Sequence, residues 1–177
     1  MKQIIFAITG ASGIIYGKKT LEAISKEYRV SLMISDNGIL VGKKELGIEL
    51  KNHLCSLPNV SFVDYKNMDS EIASGFFLNL GMIVCPCSMK TLSAIAQGAS
   101  ENLIQRAADV CLKERKRLIL VPRETPLSEI HLENMLILRR MGADIVPAMP
   151  GFYEAPKTID DLVDFIVKKV ISLLTRE

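Results

Sequence analysis

The sequence predicts an α/β fold, a three-layer sandwich in which helices cover both faces of a parallel central sheet. Strand-like apolar runs alternate with amphipathic segments along the chain, the pattern of strands joined by crossover helices. The strand-like runs are apolar throughout rather than at every second residue, as expected for a sheet buried on both faces. Strands are predicted over residues 3–9, 30–34, 60–63, 81–85, 118–121 and 143–146.

The segments between these strands have the spacing of amphipathic helices. Pro86 is expected to end the fourth strand, Asn102 to cap a helix, and Pro126 to stand in the first turn of another. The stretch 51–75 has the least regular pattern and is interpreted as an excursion from the sheet. Helices are predicted over residues 14–27, 37–47, 89–97, 102–116, 126–140 and 159–174.

Length and composition are those of an ordinary globular protein, and residues 1–177 are interpreted as a single domain. Hydrophobic residues make up 49% of the chain and charged residues 24%. The net charge of +2 is too small to indicate binding to nucleic acid or to a membrane surface. No apolar run approaches the ~20 residues of a membrane span. The cysteines form no C-x-x-C pair and are interpreted as free thiols of a cytoplasmic protein: Cys55, Cys85, Cys87 and Cys111.

The turns that follow the strands are the candidate sites, because ligands of open parallel sheets bind beyond the carboxyl ends of the strands. Gly10-Ala11-Ser12-Gly13 lets a ligand approach the backbone and opens a helix whose free amides attract an anion; a plain tight turn explains it equally well. Ser35, in the turn 35–38, also fits a helix cap. Ser88-Met89-Lys90-Thr91 offers hydroxyls and amides to a phosphate or to the edge of a cofactor ring, or simply caps a helix.

The helix after Asn102 carries two cations beside its apolar stripe. Arg106 and Lys113 lie within roughly 20° of each other around the helix and about 10.5 Å apart along its axis. They are candidates for an anion clamp. The alternative is a surface ion pair between Asp109 and Lys113 at i,i+4 spacing.

Two further turns and the last helix offer polar groups. Arg123 and Glu124 stand between two prolines that stiffen the turn, which suits a site although an exposed ion pair would look the same. Tyr153 belongs to a proline-rich turn with a second aromatic residue, and Lys169 lies at the edge of the apolar face of the last helix. His53 and His131 have no metal-ligand spacing, so no metal site is predicted.

Several longer segments, taken in order, match the motifs of one protein family. They are Cys87-Ser88-Met89-Lys90-Thr91-Leu92, Asn102-Leu103-Ile104, Arg106-Ala107-Ala108-Asp109-Val110, Leu112-Lys113-Glu114-Arg115, Arg123-Glu124-Thr125-Pro126, His131-Leu132-Glu133-Asn134-Met135 and Pro150-Gly151-Phe152-Tyr153. Through them the chain resembles the flavin prenyltransferase (UbiX-like) family of FMN-binding flavoproteins, earlier described as aromatic acid decarboxylases. The resemblance covers nearly the whole chain and implies a Rossmann-like (flavodoxin-like) fold.

The resemblance also implies a reaction. It implies the transfer of a dimethylallyl group from dimethylallyl monophosphate to N5 and C6 of reduced FMN, without a metal. The prenylated FMN then serves a partner decarboxylase of UbiD type. Members of the family commonly form trimers that pack into dodecamers, so a homo-oligomer is expected.

Site residues follow from the resemblance by position. Active-site roles are implied for Glu124, Glu45, Lys113 and Tyr153. The phosphate of the substrate is expected near Arg106, Lys113, Tyr153 and Lys169. FMN is expected to contact Gly10, Ala11, Ser12, Ser35, Ser88, Met89, Lys90, Thr91 and Arg123.

One departure and two alternatives accompany this reading. Many relatives carry arginine where this chain has Lys169, so bidentate phosphate contact is lost while the charge is kept. A decarboxylase acting on a cysteine-like thiol would be expected to carry a histidine after the first Gly-rich turn, where this chain has Tyr16. A non-catalytic flavin carrier would not need the acid–base and cationic groups Glu124, Lys113 and Tyr153.

Overall fold

The computed structural model describes residues 1–176, which form one six-stranded sheet in the order β3-β2-β1-β4-β5-β6. All neighbouring strands pair in parallel. The predicted Rossmann-like α/β sandwich is therefore confirmed, with its topological switch point between β1 and β4. The strands are β1 Gln3–Ile8, β2 Arg29–Ile34, β3 Val60–Phe62, β4 Gly81–Cys87, β5 Arg117–Pro122 and β6 Asp144–Ile145.

Helices cover both faces of the sheet. Helices α1, α2, α3 and α7 pack on one face, and α4, α5 and α6 pack on the other. Within residues 1–176, no helix has the length and apolar character needed to cross a membrane. The helices are α1 Ile14–Ile24, α2 Asp36–Leu46, α3 Leu50–Cys55, α4 Met89–Ala96, α5 Leu103–Lys113, α6 Glu129–Arg140 and α7 Ile159–Thr175, with a 3-10 turn at Glu71–Ala73.

Strand β1 shows why the strands are apolar throughout. Ile4, Phe6 and Ile8 point into the core under α1 and α7, whereas Ile5 and Ala7 point into the core under α4 and α5. Successive side chains of a strand alternate between faces, so a strand covered on both sides needs apolar residues at every position.

Three details differ from the sequence-based expectations. Pro86 lies inside β4 and does not end it; the β4–β5 register shifts between Val84 and Cys87, so the proline falls where the hydrogen-bond ladder is already irregular. Helix α6 begins at Glu129 with Ser128 as its cap, so Pro126 precedes the helix and does not belong to its first turn. In the stretch 51–75, β3 confirms the strand predicted over 60–63, whereas α3, which begins at Leu50, and the 3-10 turn were not predicted.

Helix α1 approaches β4 closely at Gly17. A Cβ atom on Gly17 would lie 2.2 Å from the backbone oxygen of Cys85. Because α1 begins at the Gly-rich turn and β4 leads into Ser88, this contact fixes the distance between two of the predicted binding turns.

Candidate functional site

A cleft of about 400 Å³ opens at the carboxyl ends of β1, β2 and β4. This is the switch point of the sheet, where open α/β folds bind their ligands. The turns after all three strands contribute to its wall, as the sequence predicted. Its lining residues are Gly10, Ser35, Asp36, Asn37, Tyr65, Ser88, Lys90, Thr91, Asn102 and Gln105.

Helix N-termini converge on this cleft. The Oγ atom of Ser35 accepts from Gly38 N at 3.1 Å and caps α2. The Oγ atom of Ser88 accepts from Thr91 N at 3.3 Å and caps α4. Asn102 caps α5 in the same way. The positive ends of these helix dipoles favour a negatively charged ligand.

The charged groups of the cleft leave it electropositive. Lys90 is exposed at the start of α4. The carboxylate of Asp36 lies 2.7 Å from Lys66 Nζ, and this hydrogen bond holds the pKa of Asp36 below its ordinary value. Asp36 is thus already paired, and Lys90 remains to attract an anion.

The turn at Ser88 is tied to β1. Thr9 Oγ1 donates to the backbone oxygen of Pro86 at 3.0 Å and accepts from Ser88 N at 2.8 Å. The hydroxyl of Ser88 also donates to Thr91 Oγ1 at 3.1 Å. These contacts hold the hydroxyls of the turn in one arrangement relative to the Gly-rich turn.

Glu45 reaches the Gly-rich turn from the end of α2. Its carboxylate accepts from Gly13 N at 3.0 Å and from Ile14 N at 2.9 Å. Gly13 has φ +92°, a conformation that costs glycine little. The structure therefore brings Glu45 to the site region, where it occupies the amides that begin α1 and leaves the N-termini of α2 and α4 for a ligand.

Arg123 and Glu124 lie at the carboxyl end of β5, beside a shallow depression of about 100 Å³. Both side chains are exposed, and Glu124 Oε1 accepts from Thr125 N at 2.9 Å. Tyr16 lies close enough to couple electrostatically to Arg123. Burial raises the pKa of the Tyr16 phenol, Cys85 raises it further, and the Arg123 cation lowers it.

Tyr153 lies in the turn before α7 and packs against that helix, which also carries Lys169. The Tyr153 side chain is 81% exposed and its ring meets Phe165 edge-on, with the ring centroids 5.7 Å apart. Lys169 is one helical turn beyond Phe165 and is exposed. A hydroxyl and an ammonium group are thus available on the same side of this helix.

Arg106 and Lys113 lie on a different helix from Lys169, and Arg106 directly follows Gln105 of the cleft. Both belong to α5, which packs on the face of the sheet opposite α7, and Lys113 ends α5 about 15 Å along its axis from the cleft. Arg106 pairs with Asp109 at 2.9 Å and Lys113 with Glu114 at 2.5 Å. One protomer does not bring these cations together with Tyr153 and Lys169, and the pairing between Asp109 and Lys113 considered as the alternative is wrong.

Several lining residues were missed in the sequence. Asn37 stands in the turn 35–38, where only Ser35 was singled out, and Gln105 follows the cap Asn102. Tyr65 comes from the irregular stretch 51–75, which offers no periodic signal. Throughout the described chain, residues 1–176, no group of three or more His, Cys, Asp or Glu side chains is arranged to hold a metal ion.

Comparisons with known proteins identify the family. Residues 1–171 match the Flavoprotein family. Flavin prenyltransferase UbiX of Halalkalibacterium halodurans is 51% identical over 176 residues, covering 94% of this chain and 85% of the relative. The crystal structure of AnUbiX (PadA1) in complex with FMN and dimethylallyl pyrophosphate has a TM-score of 0.94 at 42% identity, covering 99% of this chain and 93% of the other.

Two other solved structures bear on assembly and on the alternatives. The dodecameric FMN-dependent UbiX-like decarboxylase of Escherichia coli O157:H7 has a TM-score of 0.92 at 41% identity, covering 99% of this chain and 96% of that one. The peptidyl-cysteine decarboxylase EpiD has a TM-score of 0.68 at 15% identity, covering 99% of this chain and all of that one; that likeness shows the fold alone, so the cysteine decarboxylase alternative is not favoured. The chain belongs to the flavoprotein family, among its flavin prenyltransferases of the UbiX type.

Proposed function

We propose that this chain transfers a dimethylallyl group from dimethylallyl monophosphate to N5 and C6 of reduced FMN. The observation that carries the proposal is the cleft at the switch point. The N-termini of α2, α4 and α5 converge there, and Lys90 in the first turn of α4 adds a positive charge. Full-length similarity to flavin prenyltransferases supports it, as does a neighbour that holds FMN and dimethylallyl pyrophosphate. The prenylated flavin then passes to a partner decarboxylase of UbiD type.

The donors of the cleft fit a phosphate ester carried on a polyol. Backbone amides at helix N-termini, two serine hydroxyls and one lysine are the groups that bind such a ligand. A Cβ atom on Gly10 would lie 2.4 Å from Asn37 Cβ, so the turn has room only for a glycine there. Reduced FMN, when bound, supplies the nucleophilic N5 and C6 atoms. The residues proposed to hold it are Gly10, Ala11, Ser12, Ser35, Ser88, Met89, Lys90, Thr91 and Arg123.

Acid–base work is assigned to Glu124, with Glu45 and Tyr153 beside the reacting groups. Glu124 is exposed at the end of β5 and its carboxylate accepts from Thr125 N, so it is available to give a proton to the departing phosphate or to take one from the flavin ring. Glu45 fixes the Gly-rich turn through Gly13 and Ile14. Cleavage of the C–O bond leaves negative charge on phosphate, which fixed cations stabilise in the transition state.

The cations of the phosphate site come from two copies of the chain in this proposal. Lys169 lies on α7 and Tyr153 packs against that helix through Phe165, whereas Arg106 and Lys113 lie on α5 across the sheet. An oligomer in which α5 of one copy faces α7 of the next unites all four around one phosphate. The similarity to a dodecameric structure supports such an assembly, and we propose a homododecamer.

We also propose that residues 1–177 act as one flavoprotein domain in the cytoplasm. The free thiols of the four cysteines support a reducing compartment. Glu177 itself lies outside the described residues.

The proposal is tested with reduced FMN and dimethylallyl monophosphate in the absence of oxygen, followed by mass spectrometry of the flavin. The wild-type protein is expected to add one dimethylallyl unit. Lys113→Ala and Glu124→Gln are each expected to be nearly inactive. Co-expression of the two variants is expected to restore about a quarter of the sites, because a site shared by two copies can then receive both intact residues. A wild type that never prenylates FMN refutes the function, and a lack of recovery refutes the shared site.

A further inference from the structure

The loop 73–77 is fixed against the end of α5 by several hydrogen bonds. Arg106 Nε donates to the backbone oxygen of Ala73 at 3.1 Å. Lys116 Nζ donates to the backbone oxygens of Gly75 at 3.2 Å and Phe77 at 2.8 Å. Within the loop, Phe76 N donates to Ser74 Oγ at 3.2 Å. The loop is therefore hydrogen-bonded both to α5, through Arg106, and to the segment that follows α5, through Lys116.

Phe76 projects from this surface with 95% of its area exposed. Isolated apolar residues are common on protein surfaces, so its position matters more than its exposure. A Cβ atom on the adjacent Gly75 would lie 3.3 Å from Lys113 Nζ, and Ala73 contacts Arg106. Phe76 thus follows directly on loop residues that contact both of the cations that the proposed function brings to the flavin of another copy.

This arrangement matches the shape of a prenyl phosphate. Such a ligand has an anionic head and an apolar tail of five carbons, and it develops positive charge on the allyl carbons as phosphate leaves. Cations suit the head, while the face of a phenyl ring suits both the apolar tail and an adjacent positive charge.

We propose that Phe76 is a specificity-determining residue that contacts the dimethylallyl group in the site of a neighbouring copy. The proposal rests on the proposed function, because Phe76 reaches that site only if Arg106 and Lys113 do. Because the loop backbone is hydrogen-bonded to Arg106, the loop that carries Phe76 accompanies the two cations into that site. Phe76 then contributes to recognition of the tail, and the flavin is held by other residues.

The test compares Phe76→Ser, Phe76→Leu and the control Leu78→Ser in the prenylation assay. Leu78, one residue beyond the loop, is 88% exposed, but it lines a separate depression with Met1 and Leu80. Phe76→Ser is expected to raise KM for dimethylallyl monophosphate roughly tenfold, consistent with loss of an aromatic contact. Phe76→Leu should recover part of that loss, while FMN affinity and oligomer mass stay unchanged.

Co-expression of two variants tests whether Phe76 and Glu124 of one site come from different copies. Phe76→Ser combined with Glu124→Gln is expected to yield some sites of wild-type KM, because the intact phenylalanine and the intact glutamate then come from different copies. An unchanged KM in Phe76→Ser, an equal effect of Leu78→Ser, a parallel loss of FMN affinity or a dissociated oligomer would each overturn the contact role. The proposed function is tested separately, by prenylation with the wild type and by recovery of activity when Lys113→Ala and Glu124→Gln are co-expressed. If both of these succeed, any of the outcomes above refutes only the role of Phe76.

Discussion

Replacing Gly17 by alanine tests how the site is positioned. Gly17 is buried in α1, and the added Cβ would lie 2.2 Å from the backbone oxygen of Cys85 and 3.1 Å from its carbonyl carbon. The neighbouring atoms belong to the backbone of β4, which cannot turn aside as a flexible side chain can. Relief of the contact must therefore move α1 away from β4.

Two opposing effects set the magnitude. Alanine is a better helix former than glycine by about 1 kcal/mol. Overpacking of a tight interior typically costs about 1–3 kcal/mol, and a backbone contact of this length puts Gly17→Ala at the upper end of that range. We expect a net loss of about 1–2 kcal/mol in the free energy of unfolding, which for a chain of this size lowers Tm by roughly 2–8 °C.

The assay is thermal unfolding by circular dichroism together with FMN titration. FMN affinity should fall as well, because Thr9 Oγ1 donates to the backbone oxygen of Pro86 in β4 and accepts from Ser88 N. A shift of β4 therefore moves the turn that is proposed to bind FMN. The control is Lys18→Ala at the adjacent position, which removes a partly buried i,i+4 pair with Glu22 and adds no atom against β4; pairs of this spacing contribute about 0.3–0.5 kcal/mol. A Gly17→Ala protein as stable as the wild type, with unchanged FMN affinity, would refute the reasoning.

Three further predictions follow from charges and burial. Burial raises the pKa of all four thiols, but only Cys55 is partly open to solvent, so iodoacetamide at pH 8 should label Cys55 in the folded protein and leave Cys85, Cys87 and Cys111 unmodified, as measured by peptide mass spectrometry. Burial raises the pKa of Glu22, but hydrogen bonds from Lys18 and His53 outweigh it and hold the value below 4.5; the resulting stability is present above pH 4.5 and lost as the pH falls through the folded pKa, so denaturant titrations should show less acid sensitivity in Glu22→Gln. Arg106→Ala and Lys113→Ala should each weaken use of dimethylallyl monophosphate by about 1.5–3 kcal/mol and leave FMN titrations unchanged; equal losses for both ligands would place the cations at the flavin.

Much of the fold could be predicted because burial leaves a direct mark on the sequence. The runs in β1 and β4 are apolar at every position since both sheet faces are covered. In the stretch 51–75 the strand was predicted, but α3 and the 3-10 turn were not, because they are too short to show periodicity. Pro86 was misinterpreted because an irregular position in a strand tolerates a residue that a regular ladder excludes, and local sequence does not reveal such a position.

Part of the site was predictable from the topology of a parallel sheet. The turns after β1, β2 and β4 meet because parallel strands end at one edge of the sheet, so Ser35 and Ser88 could be placed together. The spacing of Arg106 and Lys113 showed that they share one side of a helix. It did not show which face of the sheet carries that helix, and this decides whether they reach Lys169 within one copy.

The most direct test of the central claim measures flavin mass and carbon dioxide in the same reaction. The wild-type protein receives reduced FMN, dimethylallyl monophosphate and an aromatic acid such as hydroxybenzoic acid. The flavin should gain one dimethylallyl unit with no carbon dioxide released, and decarboxylation should begin only when a separate UbiD-type decarboxylase is added. Glu124→Gln should retain FMN but slow prenylation by about a hundredfold or more, the size of a lost acid–base contribution. Carbon dioxide released by this chain alone, at a rate unaffected by dimethylallyl monophosphate, would contradict the account and make the protein a decarboxylase.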